Sequence, residues 1–199
     1  MTETNTSGII TAAADIIAGA FNALPKRVCN QHKFSDYADY LHENLPAQAE
    51  LDLQREKPLN PAPLVSVAIA CSGASRAAVR STLEALGKQT YANFEVCLVS
   101  ELAQAGLKDY EGIPKFRLVL FNGTAHEQLK AAEKMLNGAY FLQLLPGDLP
   151  APDALHMLVL QTHSNPEAEV VFADEDSVID GIRQNPIFKP DYGRDTLRS

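Results

Sequence analysis

Five short apolar segments, separated by stretches of helical periodicity, constrain the fold of this chain more than any other feature. Each segment is rich in β-branched or aromatic residues, and they read LVSVAIA from Leu64, FEVCLVS from Phe94, FRLVLF from Phe116, AYFLQLL from Ala139 and EVVFADED from Glu169. Largely apolar runs of this length are typical of strands buried on both faces, as in a parallel sheet. We therefore predict an α/β fold with a mainly parallel sheet flanked by helices.

The stretches between these segments carry signals for the starts and ends of helices. Ser75 is placed to cap a helix whose inner face includes Leu83. Thr124 and Glu127 have the spacing of a capping box, and we expect Gly138 to lie just past the end of that second helix. These signals support the alternation of strands and helices.

Parallel α/β sheets bind ligands outside the carboxyl ends of their strands. The residues at those ends are therefore our candidates for a small-molecule site. Those that we single out are Ala70, Cys71, Ser72, Ser100, Glu101, Asp148, Asp174 and Asp176. The acidic run 174–176 has a second interpretation as a solvated strand end, and Asp180-Gly181 after it predicts a tight hairpin turn.

Composition excludes several classes of protein. The 199 residues carry a net charge of −8, which argues against non-specific binding to nucleic acid. The three cysteines, Cys29, Cys71 and Cys97, match no zinc-binding spacing, and we expect free thiols in a reducing compartment. The polar start of the chain lacks the positive charge of a secretory signal, so we expect a cytoplasmic protein.

The first sixty residues differ in character from the rest. Residues 9–24 predict an amphipathic helix, which we expect to dock on the domain or a partner protein, with peripheral membrane binding as the alternative. Residues 34–59 predict charged helices, and the segment Asn60-Pro61-Ala62-Pro63 predicts a stiff linker. We therefore divide the chain into a helical leader, 1–60, and an α/β domain, 61–199.

Three stretches carry family-specific motifs. They are PLVSVAIACSG with LEALGKQTYANFEVCLVS, then NGAYFLQLLPGDLPAPDAL, then FADEDSVIDGIRQNPIFKPDYGRDTLRS. With these stretches, residues 36–199 resemble the family-2 glycosyltransferases of the GT-A fold, and the last stretch is typical of bacterial members that build surface polysaccharides. The resemblance implies transfer of a sugar from a nucleotide-sugar donor to a hydroxyl of a glycan or lipid-linked acceptor.

The same resemblance implies a donor site at the strand ends and a divalent cation, Mn²⁺ or Mg²⁺, held by carboxylates. Here the sequence departs from the family. Ser100 and Glu101 stand where the family has two aspartates, and Leu145 and Gly147 replace two acids of its metal-binding motif. Asp148 is left as the candidate metal ligand.

The family's acceptor-binding half, which supplies the catalytic base, has no counterpart in residues 61–199. Two hypotheses follow. The chain is an active glycosyltransferase or the donor-binding part of one, or it is a catalytically inactive domain of the same fold that acts as a scaffold.

Overall fold

The computed structural model describes residues 37–101, 113 and 115–189. They divide into two compact units, residues 46–159 (the sheet unit) and residues 1–45 with 160–199 (the hairpin unit). The elements in chain order are α1 (Tyr37–Asn44), α2 (Gln48–Glu56), β1 (Val65–Ala70), α3 (Arg76–Leu86), β2 (Phe94–Ser100), β3 (Phe116–Leu120), α4 (Ala125–Glu133), β4 (Tyr140–Leu144), α5 (Ala154–Ser164), β5 (Glu175–Ile179) and β6 (Ile182–Ile187).

The sheet unit contains a four-stranded sheet in the order β3-β2-β1-β4. All three strand pairs are parallel, and the register places Ala70 opposite Val99 and Ile69 opposite Leu144. The predicted α/β class with a mainly parallel sheet is confirmed.

Burial explains why the two central strands are mostly apolar. Every residue of β1 and β2 is buried, because both faces of these strands are covered. Ser75 caps α3 as predicted, since its Oγ accepts a hydrogen bond from the Ala78 N–H at 3.2 Å. The helix turns Val79, Leu83 and Leu86 inward, and all three are fully buried in the core.

The predicted end of the second helix is wrong. α4 does begin with the predicted capping box, in which Thr124 and Glu127 exchange hydrogen bonds, but it ends at Glu133 rather than next to Gly138. A side chain at Gly138 would place its Cβ 2.5 Å from Ser66 Oγ and 2.8 Å from the Leu64 carbonyl oxygen. The glycine therefore allows close backbone approach to β1 rather than ending a helix.

The predicted fifth strand is also wrong. Residues 169–174, which include the apolar run 170–173, form no strand, and β5 begins only at Glu175. β5 pairs antiparallel with β6 in a separate two-stranded sheet. The reason is the short loop that follows it, because a tight turn offers a local antiparallel partner at little cost in loop-closure entropy.

That turn has the predicted form. Asp180 and Gly181 both have positive φ, 52° and 79°, as the two central residues of a type I′ hairpin turn require. The hairpin and α1 belong to the hairpin unit.

Some predictions fall outside the described residues, among them the helix at 9–24 and the thiol of Cys29. Cys71 and Cys97 are free thiols, as expected, and both are buried. Within the described ranges, no helix has the length and apolar character needed to cross a membrane. The boundary predicted at residue 60 stays a prediction.

Candidate functional site

The carboxyl ends of β1, β2 and β4 meet at one edge of the sheet unit, because neighbouring strands run parallel in close register. At this edge, Ser72 Oγ donates a hydrogen bond to Glu101 Oε1 at 3.2 Å. These two residues follow adjacent strands, and Glu101 is exposed. The structure therefore brings together two of the predicted site residues, and both can offer polar groups to a bound ligand.

The other three predicted residues on these two strands are buried. Ala70, Cys71 and Ser100 are 6%, 4% and 2% exposed. Burial raises the pKa of the Cys71 thiol to about 11, so it stays protonated at neutral pH. Cys71 therefore supplies packing at the floor of this edge and not a nucleophilic thiolate.

The loop after β4 is closed by its own residues. Asp148 Oδ2 accepts a hydrogen bond from the Leu145 N–H at 2.7 Å. The Gly147 N–H donates to Thr82 Oγ1 at 2.8 Å and to the Ala78 carbonyl oxygen at 3.1 Å, which ties the loop to α3. Gly147 has a φ of +106°, a conformation that suits glycine. The one carboxylate of this loop thus stabilises a turn.

These residues do not by themselves fit a metal centre. Among residues 37–101, 113 and 115–189, no three His, Cys, Asp or Glu side chains cluster in a way that could hold a metal ion. Mg²⁺ is usually held by one or two carboxylates together with substrate phosphates and water. Asp148 alone would be such a minimal ligand.

Sequence reasoning missed two buried polar residues near this edge. Thr82 is fully buried on α3 and anchors the loop that carries Gly147. Gln128 is fully buried on α4, where its Nε2 donates to the Phe121 carbonyl oxygen at 3.2 Å, while its Oε1 has no partner in the described part of the chain. Thr82 and Gln128 could have been found from the sequence, because each is a polar residue on the inward face of a predicted helix.

Asp174 and Asp176 belong to the hairpin unit, where the chain's own cations neutralise the acidic run. Asp176 Oδ2 accepts a hydrogen bond from Arg183 Nε at 2.6 Å and another from the Tyr37 hydroxyl. Burial acts to raise the pKa of Asp176, but these two bonds and the Arg183 charge outweigh it and lower that pKa.

The other two acids share one lysine. Asp174 Oδ1 accepts a hydrogen bond from the Lys189 backbone N–H at 2.8 Å, and Glu175 lies 3.5 Å from Lys189 Nζ. Three adjacent carboxylates need compensation for their mutual repulsion. Two basic side chains of the same unit supply it.

Comparisons with known proteins give two relatives. The chain is 33% identical over 144 residues to the uncharacterised protein y4gI of Sinorhizobium fredii. This alignment covers 68% of this chain and 16% of that protein. The chain is 28% identical over 175 residues to the O-antigen biosynthesis protein RfbC of Myxococcus xanthus. This second alignment covers 83% of this chain and 14% of that protein. No protein-family model matches the chain.

Among solved structures, the chain is similar to S. aureus TarS, with 15% identity, a TM-score of 0.43, and coverage of 50% of this chain and 19% of that one. The matched region thus spans about a sixth or less of the length of either relative. The topology of the sheet unit establishes the alternating α/β fold without these comparisons.

Proposed function

We propose that this chain is the donor-binding part of a family-2, GT-A-type glycosyltransferase that acts in the synthesis of a surface polysaccharide. The observation that carries the proposal is the similarity to an O-antigen biosynthesis protein over 83% of the chain. The proposed reaction passes a sugar from a nucleotide-sugar donor to a hydroxyl of a glycan or lipid-linked acceptor. The proposal includes a cytoplasmic location, where nucleotide-sugars are available.

The edge of the sheet unit supports this proposal. β1 leads within a few residues into the N-terminus of α3, so the positive end of that helix dipole lies at the edge that carries Ser72 and Glu101. A helix N-terminus favours phosphate, and the hydroxyl and carboxylate suit the hydroxyl and N–H groups of a nucleoside. A nucleoside diphosphate is therefore the ligand that this arrangement fits best.

The divalent cation stays a proposal. Asp148 would be its ligand from the protein, and donor phosphates would have to supply most of the others. When bound, Mn²⁺ or Mg²⁺ would neutralise the charge that develops on the leaving diphosphate. The chain's own contribution is to hold the loop 145–148 against α3 through Thr82.

Isothermal titration of the chain with a panel of nucleoside diphosphates, each with and without Mn²⁺, tests donor binding. We expect at least one to bind with a dissociation constant in the micromolar range. Glu101→Gln should weaken that binding about fivefold, the effect of losing one hydrogen bond of ~1 kcal/mol. Glu84→Gln, the same change at an exposed position on α3, is the matched control. No binding by any member of the panel to the folded chain would refute the proposal.

A second candidate function is that of a catalytically inactive scaffold of the same fold. The observation that favours it is the loop after β4, where Asp148 is hydrogen-bonded to the Leu145 N–H and no second acid is present. The predicted helix at 9–24 is then its proposed contact with a partner protein or membrane surface.

Restoring one acid separates the two candidates. Leu145 is 56% exposed, so Leu145→Asp can be accepted without loss of core packing, whereas an acid at Gly147 would be strained by its positive φ. If the scaffold candidate is correct, Leu145→Asp creates Mn²⁺ affinity that the natural chain lacks, and Leu149→Asp, at a similarly exposed leucine, does not. Equal Mn²⁺-dependent nucleotide binding before and after the change would contradict the scaffold candidate.

A further inference from the structure

The hairpin unit contains a cavity of about 170 Å³ that none of the preceding functions uses. Its lining comes from α1 and the hairpin and combines aromatic, charged and aliphatic side chains. For comparison, an engineered apolar cavity of about 150 Å³ accepts one benzene molecule. The cavity is therefore the size of a single six-membered ring.

One wall of the cavity is aromatic. The rings of Tyr37 and Tyr40 stack with centroids 5.8 Å apart, and Phe188 meets both edge-on at 6.4 and 5.1 Å. The face of an aromatic ring carries partial negative charge and attracts polarised C–H groups as well as cations. This wall fits a flat ligand face that is covered with C–H groups.

Other parts of the lining are polar. Asp174, Glu175 and Arg183 contribute charged groups, and Asn44 contributes an amide. Arg183 is held by its 2.6 Å bond to Asp176. Acceptors and donors thus line one small space next to the aromatic rings.

The mixture of groups selects the class of ligand. A purely apolar ligand would displace water from the charged groups of Asp174, Glu175 and Arg183 and offer no hydrogen bond in its place, although each keeps its partner within the unit. An anion would meet Asp174 and Glu175, and a cation would meet Arg183. A neutral ring with one C–H face and several hydroxyl groups satisfies both kinds of wall, because each hydroxyl can donate to a carboxylate and accept from a guanidinium or amide.

We propose that this cavity is a carbohydrate subsite that binds one neutral pyranose ring of a glycan. The subsite does not rest on the proposed transferase function, because all of its lining residues belong to the hairpin unit. Burial and the hydrogen bond to Asp176 raise the pKa of Tyr37 to about 12, so its hydroxyl remains protonated at every pH at which binding would be measured. The aromatic wall therefore keeps its form across that range.

Saturation-transfer NMR and calorimetry with a panel of neutral methyl pyranosides test this subsite in the full chain. We expect a dissociation constant on the order of 1 mM, the value typical of about 0.3 kcal/mol per ligand atom for a single sugar ring. Phe188→Ala should weaken binding at least tenfold. Glu175→Gln, which keeps the side-chain shape, should weaken pyranoside binding severalfold. It replaces Phe188→Ala as the test if that variant does not fold.

Four outcomes would overturn the proposal. One is that no pyranoside binds the folded chain, and another is that Glu175→Gln binds as the natural chain does. The third is that Phe141→Ala, which removes an exposed aromatic ring from the sheet unit, weakens binding as much as Phe188→Ala does. Tighter binding of choline or inorganic phosphate at the same residues would likewise reject a neutral sugar.

The same variants separate this proposal from the transferase. Nucleotide titration of Phe188→Ala should match that of the natural chain, because the proposed donor edge lies in the sheet unit. A natural chain that binds pyranosides but no nucleotide would refute only the transferase. A natural chain that binds a nucleotide but no pyranoside would refute only the subsite.

Discussion

The sheet unit and the hairpin unit are stabilised by different interactions. Within the described residues, every buried hydrophobic side chain belongs to the sheet unit, where β1, β2 and α3 supply most of the core. In the hairpin unit, the apolar side chains of the hairpin itself, Val178, Ile179, Ile182 and Ile187, are 46% to 66% exposed. That unit is instead organised by polar and aromatic contacts around Asp176 and Phe188.

This difference indicates where each unit can accommodate a ligand. A close-packed core leaves no room for one, so the sheet unit offers its strand ends, whose polar groups face solvent. Polar and aromatic contacts pack less completely, and the hairpin unit retains a cavity between them. If the two kinds of stabilisation are distinct, substitutions in the two units should differ in their effect on stability.

The largest effect is expected in the core of the sheet unit. Leu83→Ala removes a fully buried side chain and should lower the free energy of unfolding by about 3 kcal/mol. Leu53→Ala, at a leucine 49% exposed, should change it by less than about 0.5 kcal/mol. Urea denaturation followed by circular dichroism measures both.

Native-state hydrogen exchange sharpens the same comparison. Amides of β1 and β2 should exchange roughly 100-fold faster in Leu83→Ala than in the natural chain. Amides of β5 and β6 should exchange faster than those of β1 even in the natural chain, because a two-stranded hairpin is only marginally stable. Equal protection of the amides of both sheets against exchange would show that the two units do not differ in stability.

The sequence predicts the sheet unit well because its signals are local and strong. Runs such as VSVAIA are typical of strands buried on both faces, as in a parallel sheet, and Ser75 caps its helix through a contact three residues away. The hairpin was predicted only at its turn, Asp180-Gly181. The apolar run 170–173 looks like part of another buried strand, and nothing in its composition tells whether a neighbouring strand is available to pair with it.

The candidate site was less predictable than the fold. Strand ends can be read from the sequence, so Ser72 and Glu101 could be found. The contact of Gly147 with Thr82 joins residues 65 positions apart, and no periodicity encodes it. The cavity near Phe188 likewise depends on side chains from α1 and the hairpin, whose pairing is set by tertiary packing.

A smaller effect is expected at the one buried carboxylate of the central strands, Glu95, which is 2% exposed. It accepts hydrogen bonds at 2.7 Å from Ser66 Oγ and from the Asn137 N–H, and it lies 3.6 Å from the Arg117 guanidinium. Burial acts to raise its pKa, but the two hydrogen bonds and the positive charge outweigh burial and lower it below the ordinary value of 4.5.

A carboxyl group with a lowered pKa stabilises the folded state above its unfolded-state pKa, and this contribution is lost as the pH falls through the folded-state value. Glu95→Gln should therefore cost about 2 kcal/mol at pH 7, and the difference from the natural chain should shrink as the pH falls below 4.5. Urea denaturation at a series of pH values measures this difference. A cost that stays constant with pH, or one matched by exposed Glu84→Gln, would show that the carboxylate charge contributes nothing.

The smallest effect is expected in the hairpin unit, at the hydroxyl of Tyr37. Tyr37→Phe removes the hydrogen bond to Asp176, which keeps its bond to Arg183, so the cost should be about 1 kcal/mol. Tyr140→Phe, at a tyrosine 37% exposed in the sheet unit, is the matched control and should cost less.

The ionisation of Tyr37 gives an independent measure of this contact. Burial and the hydrogen bond to Asp176 raise the pKa of Tyr37 from 10.0 to about 12. The stabilisation is therefore complete below pH 10 and is lost as the pH rises through 12. The difference between the ultraviolet titrations of the natural chain and of Tyr37→Phe isolates this tyrosine. A midpoint near 10 would mean that the hydroxyl is solvated, and the contact would then not organise the hairpin unit in solution.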